Sequence, residues 1–131
     1  MTTSAPKPRI ILADDYRPML EEVSRLLERE FEIVATVPDG ALAVQAVANL
    51  KPEAILLDIH MPRMSGIEAA QHIRHSGSSA KIIFLSIERD TEYVRLAAAM
   101  SASYVVKSRM LRDLLIAIKE ALAGRLFVSP I

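Results

Sequence analysis

Residues 54–66 of the chain read AILLDIHMPRMSG, a short apolar run followed at once by an aspartate and a turn. The continuous apolar run Ala54–Leu57 is typical of a strand that is buried on both faces. Asp58 stands where such a strand ends, and the proline and glycine that follow indicate a turn. A helix is predicted from about residue 67 to residue 75. A buried strand, a polar residue at its end and a helix therefore form the unit that decides the fold.

The same unit occurs on both sides of this stretch. Upstream, the apolar run Arg9–Ala13 stops at Asp14 and Asp15, and Pro18 suits the first turn of the helix that follows. The predicted strands cover residues 9–13, 31–37, 54–57, 81–85 and 104–106, and the predicted helices begin at about residue 18 and cover residues 41–50, 67–75, 91–100 and the segment from residue 111.

The last predicted helix has the clearest periodicity. Its apolar residues recur at helical spacing, which places them along one stripe: Leu111, Leu114, Leu115, Ile118 and Leu122. We expect this stripe to face the core. Gly124 is a suitable residue to end the helix.

Five short strands, each followed by a helix, predict an α/β fold with a parallel sheet covered by helices on both faces. The crossovers between parallel strands are expected to be right-handed. At 131 residues, of which 51% are hydrophobic, the chain has the length and composition of one domain with its own core.

Composition excludes several classes of protein. Basic and acidic residues number 16 each, so there is no net field to hold nucleic acid or anionic lipid. The absence of cysteine excludes disulfides and thiolate sites. Residues 1–8 are polar and lack the apolar core of a signal peptide, and no run reaches membrane-spanning length. We therefore expect a soluble, cytoplasmic protein.

Four of the five predicted strands end in polar residues, namely Asp14 and Asp15, Asp58, Ser86 and Lys107. A parallel sheet brings the carboxyl ends of its strands to one edge, where such folds bind ligands. Three carboxylates crowded there repel one another unless they are protonated or bridged by a cation, and a site made only of oxygen suits Mg²⁺. A lysine and a hydroxyl would complete a pocket for phosphoryl oxygens. The pattern predicts phosphoryl-transfer chemistry.

Each of these residues also has an ordinary structural explanation. Asp14 or Asp15 could cap the first helix, Asp58 could belong to the turn, Ser86 could cap a helix, and Lys107 could be a solvated loop lysine. If there were no site, all of these explanations would have to hold at once. They do not account for polar residues that fall at strand ends while the rest of each strand is apolar.

With these residues in place, the chain from about Arg9 to Pro130 resembles the receiver domain of bacterial two-component response regulators. The segments that carry the resemblance are ILADD at 11–15, LLDIHMPRMSG at 56–66, FLS at 84–86 and YVVK at 104–107. The resemblance implies a flavodoxin-like (βα)5 fold, a single doubly wound sheet of five strands in the order 2-1-3-4-5.

The resemblance also implies roles for the site residues. Asp58 would be the phosphorylated aspartate, and Asp15 and Asp58 would bind Mg²⁺ directly together with the backbone carbonyl of His60. Asp14 would act mainly through a bound water, and Lys107 would pair with the phosphoryl oxygens. A sensor histidine kinase would supply the phosphoryl group. The domain would be a phosphoacceptor and not an enzyme, with at most slow self-phosphorylation and autodephosphorylation.

Ser86 and Tyr104 occupy the family's paired switch positions, where the hydroxyl turns toward the new phosphate and the ring packs inward. A homodimer is expected on phosphorylation. Ser101 and Ser103 stand where such relatives often carry glycine, so the loop there is expected to be stiffer. Ser108 follows Lys107 at a position where many receivers have proline.

The tail GRLFVSP at residues 124–130 is similar to the segment that closes the receiver in NarL/FixJ-type regulators, where a helix-turn-helix DNA-binding domain normally follows. We therefore expect a polar tail at 1–8, a receiver domain at 9–124 and the start of a linker at 125–131. DNA would be contacted only through a further domain beyond this chain, and no membrane would be involved. A natural stand-alone receiver is the alternative.

Three rival functions are less consistent with the sequence. A phosphohydrolase with an aspartyl phosphate intermediate needs a second carboxylate two residues after the nucleophile, and His60 stands there. A flavin or nucleotide carrier needs a glycine-rich loop after the first strand, yet none of the four glycines lies between Ala13 and Val37. A pseudo-receiver would have lost an acidic residue or the lysine, and all are present.

Overall fold

The apolar runs of the sequence form one parallel sheet in the computed structural model, which describes residues 6–130. In chain order the elements are β1 Arg9–Ala13, α1 Arg17–Leu27, β2 Glu32–Val37, α2 Gly40–Leu50, β3 Ala54–Leu57, α3 Gly66–His75, β4 Lys81–Ser86, α4 Thr91–Ala99, β5 Ser103–Val106 and α5 Met110–Leu122, with a short 3₁₀ turn at Lys107–Arg109 before α5. The strand order is β2-β1-β3-β4-β5. The predicted fold class and strand order are confirmed.

The sheet separates two hydrophobic clusters, because successive side chains of a strand point to opposite faces. In β3, Ile55 and Leu57 join the cluster formed with α2, α3 and α4, whereas Ala54 and Leu56 join the cluster formed with α1 and α5. All four are buried. Burial on both faces explains why this strand has an uninterrupted apolar sequence instead of an alternating one.

The predicted apolar stripe of α5 is wrong at its first residue. Leu111 is 77% exposed. Leu114 and Ile118 are buried, and Leu115 and Leu122 are partly buried and pack against the core. The buried face of α5 is completed by Met110, Ala117 and Ala121. The buried face of α5 is rotated from the predicted stripe toward Ala117 and Ala121, so Leu111 lies outside it. Met110 fills the position against the sheet in this turn, which leaves Leu111 in solvent.

The chain turns back after α5 and runs along β5. Gly124 has φ +85°, a left-handed conformation that suits a helix terminator. The backbone N–H of Tyr104 then donates to Phe127 O at 2.9 Å, and Ser129 N–H donates to Tyr104 O at 2.8 Å. Residues 127–129 therefore cover the outer edge of β5. No pattern in the sequence predicted this docking.

The N-terminal tail is described only from residue 6, so most of the predicted polar tail, and Ile131 at the other end, lie outside the described residues. Lys7 Nζ donates to Glu28 O at 2.9 Å, which fastens the chain to the end of α1 just before β1. Within residues 6–130, no helix combines the length and the apolar character needed to cross a membrane.

Candidate functional site

The structure brings Asp14, Asp15 and Asp58 together at the carboxyl edge of the sheet. One carboxylate oxygen from each lies within 4.8 Å of those of the other two. Backbone hydrogen bonds place the two buried members, because Asp14 N–H donates to Val37 O and Asp58 N–H donates to Ala13 O, both at 3.0 Å. These bonds extend the ladder of the sheet by one residue, so the positions of the carboxylates follow from the pairing of the strands.

Lys107 is the cation nearest to this cluster. It lies in the 3₁₀ turn directly after β5, and its Nζ is 2.7 Å from Asp14 Oδ2 and 3.4 Å from Asp58 Oδ2. Its side chain is only 12% exposed, so it is not a solvated loop lysine. One ammonium thus faces three carboxylates, and the cluster retains an excess of negative charge.

The electrostatics of Asp58 reflect this excess. Burial raises the pKa of Asp58 above its ordinary value of 3.8, Lys107 opposes that effect, and the neighbouring Asp14 adds to it. Its Oδ1 accepts a hydrogen bond from the backbone N–H of Ile59 at 2.8 Å. The charged form of Asp58 is therefore incompletely compensated by the protein's own groups.

The donor set of the cluster fits a hard divalent cation. Asp14, Asp15 and Asp58 offer only oxygen, the ligand that Mg²⁺ prefers, and Asp15 is exposed, so the site opens to solvent. A cation there would relieve both the mutual repulsion and the cost of burying Asp58. The cluster could therefore bind a metal ion.

Neither Asp14 nor Asp15 caps α1. The N-cap of α1 is Tyr16, which makes no side-chain capping bond, and proline occupies the first turn as predicted. Asp14 Oδ1 instead accepts from the N–H of Tyr16 at 2.9 Å, so this carboxylate shapes the turn after β1 while its other oxygen meets Lys107. The helix-capping explanation of this acidic pair is excluded.

The loop after Asp58 is shaped by two close backbone approaches. Gly66 N–H donates to Ile59 O at 2.8 Å, and a Cβ on Gly66 would lie 1.9 Å from the carbonyl oxygen of Asp58. Gly40 N–H donates to Met64 O at 3.0 Å, and a Cβ there would lie 2.3 Å from that oxygen. Only glycine fits at either position, so the loop is locked against the start of α2.

An ion pair that the sequence analysis missed holds the same loop. Asp39 is fully buried and caps α2, with Oδ1 accepting from Leu42 N–H at 2.8 Å. Its Oδ2 accepts from Arg63 Nε at 2.8 Å. These hydrogen bonds, Leu42 first and Arg63 next, lower the pKa of Asp39 although burial opposes them. An aspartate just before an alanine-rich helix is a capping signal. This signal could have revealed the capping bond of Asp39 but not its pairing with Arg63.

His60 directs its ring away from the carboxylates. Its Nε2 is 3.1 Å from Glu88 Oε1, and its ring packs edge-on against Tyr93 with centroids 5.8 Å apart. The imidazole thus joins the loop after β3 to the loop after β4 and to α4. Any part of this residue in a metal site would fall to its backbone carbonyl.

The two proposed switch residues are both fully buried and meet at Glu88. Ser86 Oγ accepts from the N–H of Glu88 at 3.1 Å, and the hydroxyl of Tyr104 donates to Glu88 O at 2.8 Å. Burial raises the pKa of Tyr104. The ring already occupies the inward position in this structure, with its centroid 6.4 Å from that of Phe84.

The two serines at glycine-like positions differ in their surroundings. Ser101 has φ +55°, the left-handed region that glycine adopts without strain. Ser103 belongs to β5, is fully buried, and its Oγ accepts from the N–H of Phe127 at 3.0 Å. Of the two serines, only Ser101 has a backbone conformation that favours glycine. Ser103 instead helps to hold the C-terminal segment.

Comparisons with known proteins agree on one family. Residues 10–119 match the response regulator receiver domain family. The chain is 36% identical to the transcriptional regulatory protein DegU of Brevibacillus brevis, covering 95% of this chain and 54% of that protein. It thus spans about half the length of the curated relatives that it matches.

Solved structures give the same result. A LuxR-family two-component response regulator from an Aurantimonas species is 33% identical, with a TM-score of 0.89 over 95% of this chain and 91% of that one. The signal receiver domain of the putative response regulator NarL from Mycobacterium tuberculosis is 25% identical, with a TM-score of 0.87 over 92% of this chain and all of that one.

Proposed function

Because the chain belongs to the response regulator receiver domain family, in its NarL/LuxR-type branch, we propose that it is a switch that accepts a phosphoryl group on Asp58. One observation carries this proposal: Asp58 is a buried carboxylate whose charge is incompletely compensated, at the edge of the sheet where Lys107 and two further carboxylates converge. A bound cation would offset this charge, and the ionised carboxylate is the nucleophile that phosphoryl transfer requires.

In the proposed transfer, a carboxylate oxygen of Asp58 attacks the phosphorus of a phosphohistidine on a sensor kinase. The phosphorus–oxygen bond forms as the phosphorus–nitrogen bond breaks, and the departing imidazole takes up a proton. Lys107 lies close enough to Asp58 to pair with the transferred oxygens. The ionised form of Asp58 is the nucleophile, so the compensation of its charge governs the reaction.

Asp14, Asp15 and Asp58 would hold Mg²⁺ together with the backbone carbonyl of His60, with Asp14 acting mainly through a bound water. When bound, Mg²⁺ supplies neutralisation of the phosphoryl oxygens. The all-oxygen cluster with an exposed member supports this choice of ion.

Ser86 and Tyr104 would transmit the change. The hydroxyl of Ser86 accepts from Glu88 N–H, so its proton can turn toward a phosphoryl oxygen without loss of that bond. Tyr104 is anchored to the carbonyl of the same Glu88. Movement of Ser86 toward the phosphate would therefore pull on the residue that fixes the ring.

The domain would store a phosphoryl group and would not turn over a substrate, because His60 stands where a hydrolase of this chemistry needs a carboxylate. Its partners would be a sensor histidine kinase and, on phosphorylation, a second copy of the chain. Residues 9–124 would be the receiver and residues 125–131 the start of a linker to a DNA-binding domain that controls transcription.

Intact-mass measurement after incubation with acetyl phosphate and Mg²⁺ tests the proposal. We expect one added phosphoryl group on the wild type, none on Asp58→Asn, and normal modification of Asp39→Asn, which alters a buried aspartate outside the cluster. Equal modification of the wild type and Asp58→Asn would contradict the assignment of the acceptor.

A further inference from the structure

The C-terminal segment 127–129 does more than cover an edge of the sheet. Ser129 is 2% exposed, and its Oγ accepts a hydrogen bond from Val106 N–H at 3.1 Å. Val106 is the last residue of β5 and directly precedes Lys107. The backbone on the N-terminal side of Lys107 is therefore fastened by a side chain that lies 23 residues away in sequence.

The same hydroxyl also reaches the other side of Lys107. Ser129 Oγ donates to Asp113 Oδ2 at 2.8 Å, and Arg109 Nε donates to that same oxygen at 2.9 Å. Arg109 ends the 3₁₀ turn that begins at Lys107. Hydrogen bonds thus link Val106 to Arg109 by way of Ser129 and Asp113. These bonds hold the chain both before and after Lys107.

Asp113 is buried but well compensated. It is 5% exposed in the first turn of α5. Burial acts to raise its pKa, but the hydrogen bonds from Arg109 and Ser129 outweigh burial and lower the pKa below 3.8. The network is thus a buried, charged group of hydrogen bonds and not a loose surface contact.

We propose that Asp113 and Ser129 are positioning residues for Lys107, and that the C-terminal segment is thereby coupled to the phosphoacceptor site. This inference rests on the proposed role of Lys107 in pairing with the phosphoryl group. Lys107 carries the only ammonium bonded to the acidic cluster among the described residues. The stem of a lysine is flexible, so the place where its backbone is held sets the region that its ammonium can reach.

Coupling of this kind is reciprocal. If docking of residues 127–129 places Lys107 for the phosphoryl group, then a phosphoryl group that fixes Lys107 must stabilise the docking to the same extent. The segment that leads out of the receiver would therefore be held more tightly in the phosphorylated state.

The first test compares two buried serines that hold the same segment. Ser129→Ala removes the hydroxyl beside Lys107, whereas Ser103→Ala removes the hydroxyl that accepts from Phe127 and makes no contact next to Lys107. Ser129→Ala removes two buried hydrogen bonds, of which the one to Val106 N–H adjoins Lys107. We expect it to slow phosphorylation by acetyl phosphate about 5- to 10-fold, the scale of one buried hydrogen bond. The Mg²⁺ affinity should stay close to that of the wild type, because its ligands do not include Lys107. Ser103→Ala weakens the docking but keeps the hydroxyl beside Lys107, so it should slow phosphorylation less than Ser129→Ala and leave the Mg²⁺ affinity unchanged.

The second test needs no variant. Hydrogen exchange of the wild-type chain, with Mg²⁺ and with or without the phosphoryl mimic beryllofluoride, reports the docking through Ser129 N–H, which donates to Tyr104 O. We expect slower exchange at this amide when the mimic is bound. Unchanged exchange with the mimic bound would overturn the coupling, as would equal slowing of phosphorylation in the two serine variants.

These outcomes separate the inference from the function on which it rests. A wild type that is not modified on Asp58 contradicts the proposed function itself. A wild type that is modified normally, with Ser129→Ala reacting at the same rate, contradicts only the positioning role. Should Ser129→Ala fail to fold, the hydrogen exchange of the wild type decides the question alone.

Discussion

Asp39 and Asp58 are both buried aspartates that follow strands of the same sheet, yet their surroundings change the pKa in opposite directions. Asp39 has donors on both oxygens, from Leu42 N–H and from the guanidinium of Arg63. Asp58 has one backbone donor, a lysine 3.4 Å away and a competing carboxylate. Burial alone therefore does not distinguish a site from a structural contact. The distinguishing property is whether the protein's own groups compensate the charge.

The largest effect is expected where backbone packing fixes Asp58. Gly66→Ala would place a methyl carbon 1.9 Å from the carbonyl oxygen of Asp58, and backbone atoms cannot yield locally. We expect a loss of about 3 kcal/mol or more in the free energy of unfolding, measured with urea. The matched control is Gly77→Ala, where nothing lies within 4 Å and only the left-handed φ of +81° opposes alanine. That change should cost about 1 kcal/mol. Similar losses at the two glycines would contradict the close approach.

The next effect tests the compensated aspartate. Asp39→Ala leaves the N–H of Leu42 without its cap and Arg63 without its partner. We expect a loss of about 2 kcal/mol in urea unfolding at pH 7. Asp39→Asn, which keeps an acceptor for the cap, should lose less. If the alanine variant is as stable as the wild type, Asp39 does not stabilise the start of α2.

Substitution of Asp58, the uncompensated aspartate, should change the free energy of unfolding in the opposite direction. Without Mg²⁺, Asp58→Asn removes a charge that the fold buries at a cost, so we expect the free energy of unfolding to rise by on the order of 1 kcal/mol. A fall equal to that of Asp39→Ala would remove the contrast between the two regions.

The pH dependence sharpens the contrast further. Since the pKa of Asp58 is raised in the folded state, its destabilising effect is fully present above the folded pKa and is relieved as the pH falls through it. The gain from Asp58→Asn should therefore shrink on acidification. The stabilisation from Asp39, whose pKa is lowered, persists down to about its ordinary value of 3.8 and is lost only as the pH falls further through the folded pKa.

The smallest expected effect is that of metal addition. A cation that binds only the folded cluster stabilises it by about 0.4 kcal/mol when Mg²⁺ equals its dissociation constant, and by more at higher concentrations. Thermal unfolding with a Mg²⁺ titration measures this. The shift should be lost in Asp15→Ala and retained in Asp39→Asn. A shift of equal size in Asp15→Ala would place the ion elsewhere.

Much of the fold could be predicted because the strands of a parallel sheet have local sequence patterns. Strands buried on both faces require continuous apolar runs, and the polar residues that end them mark the carboxyl edge. These two regularities were enough to place Asp58 and Lys107 at one edge, although they lie 49 residues apart. The bounds of most elements were correct to within one residue.

What could not be predicted depends on contacts without a local pattern. The Asp39–Arg63 pair and the Ser129–Asp113 contact join single polar residues across 24 and 16 positions. Pairing of residues 127–129 with β5 is made largely by backbone groups, which every sequence offers. Leu111 was predicted on the wrong face for a related reason, because the large apolar residues marked one stripe while the buried face of α5 also includes Ala117 and Ala121, whose small side chains give only a weak signal.

The docked segment 127–129 also affects whether the domain can self-associate through the edge strand β5. An uncovered edge strand presents unpaired N–H and C=O groups that can template pairing with another chain. Here both backbone groups of Tyr104 are occupied by Phe127 and Ser129. A fragment cut after α5 would expose this edge along a strand whose residues are all buried in the longer chain. Residues 127–129 thus keep this edge from pairing with another chain, and a fragment that ends after α5 would be expected to self-associate.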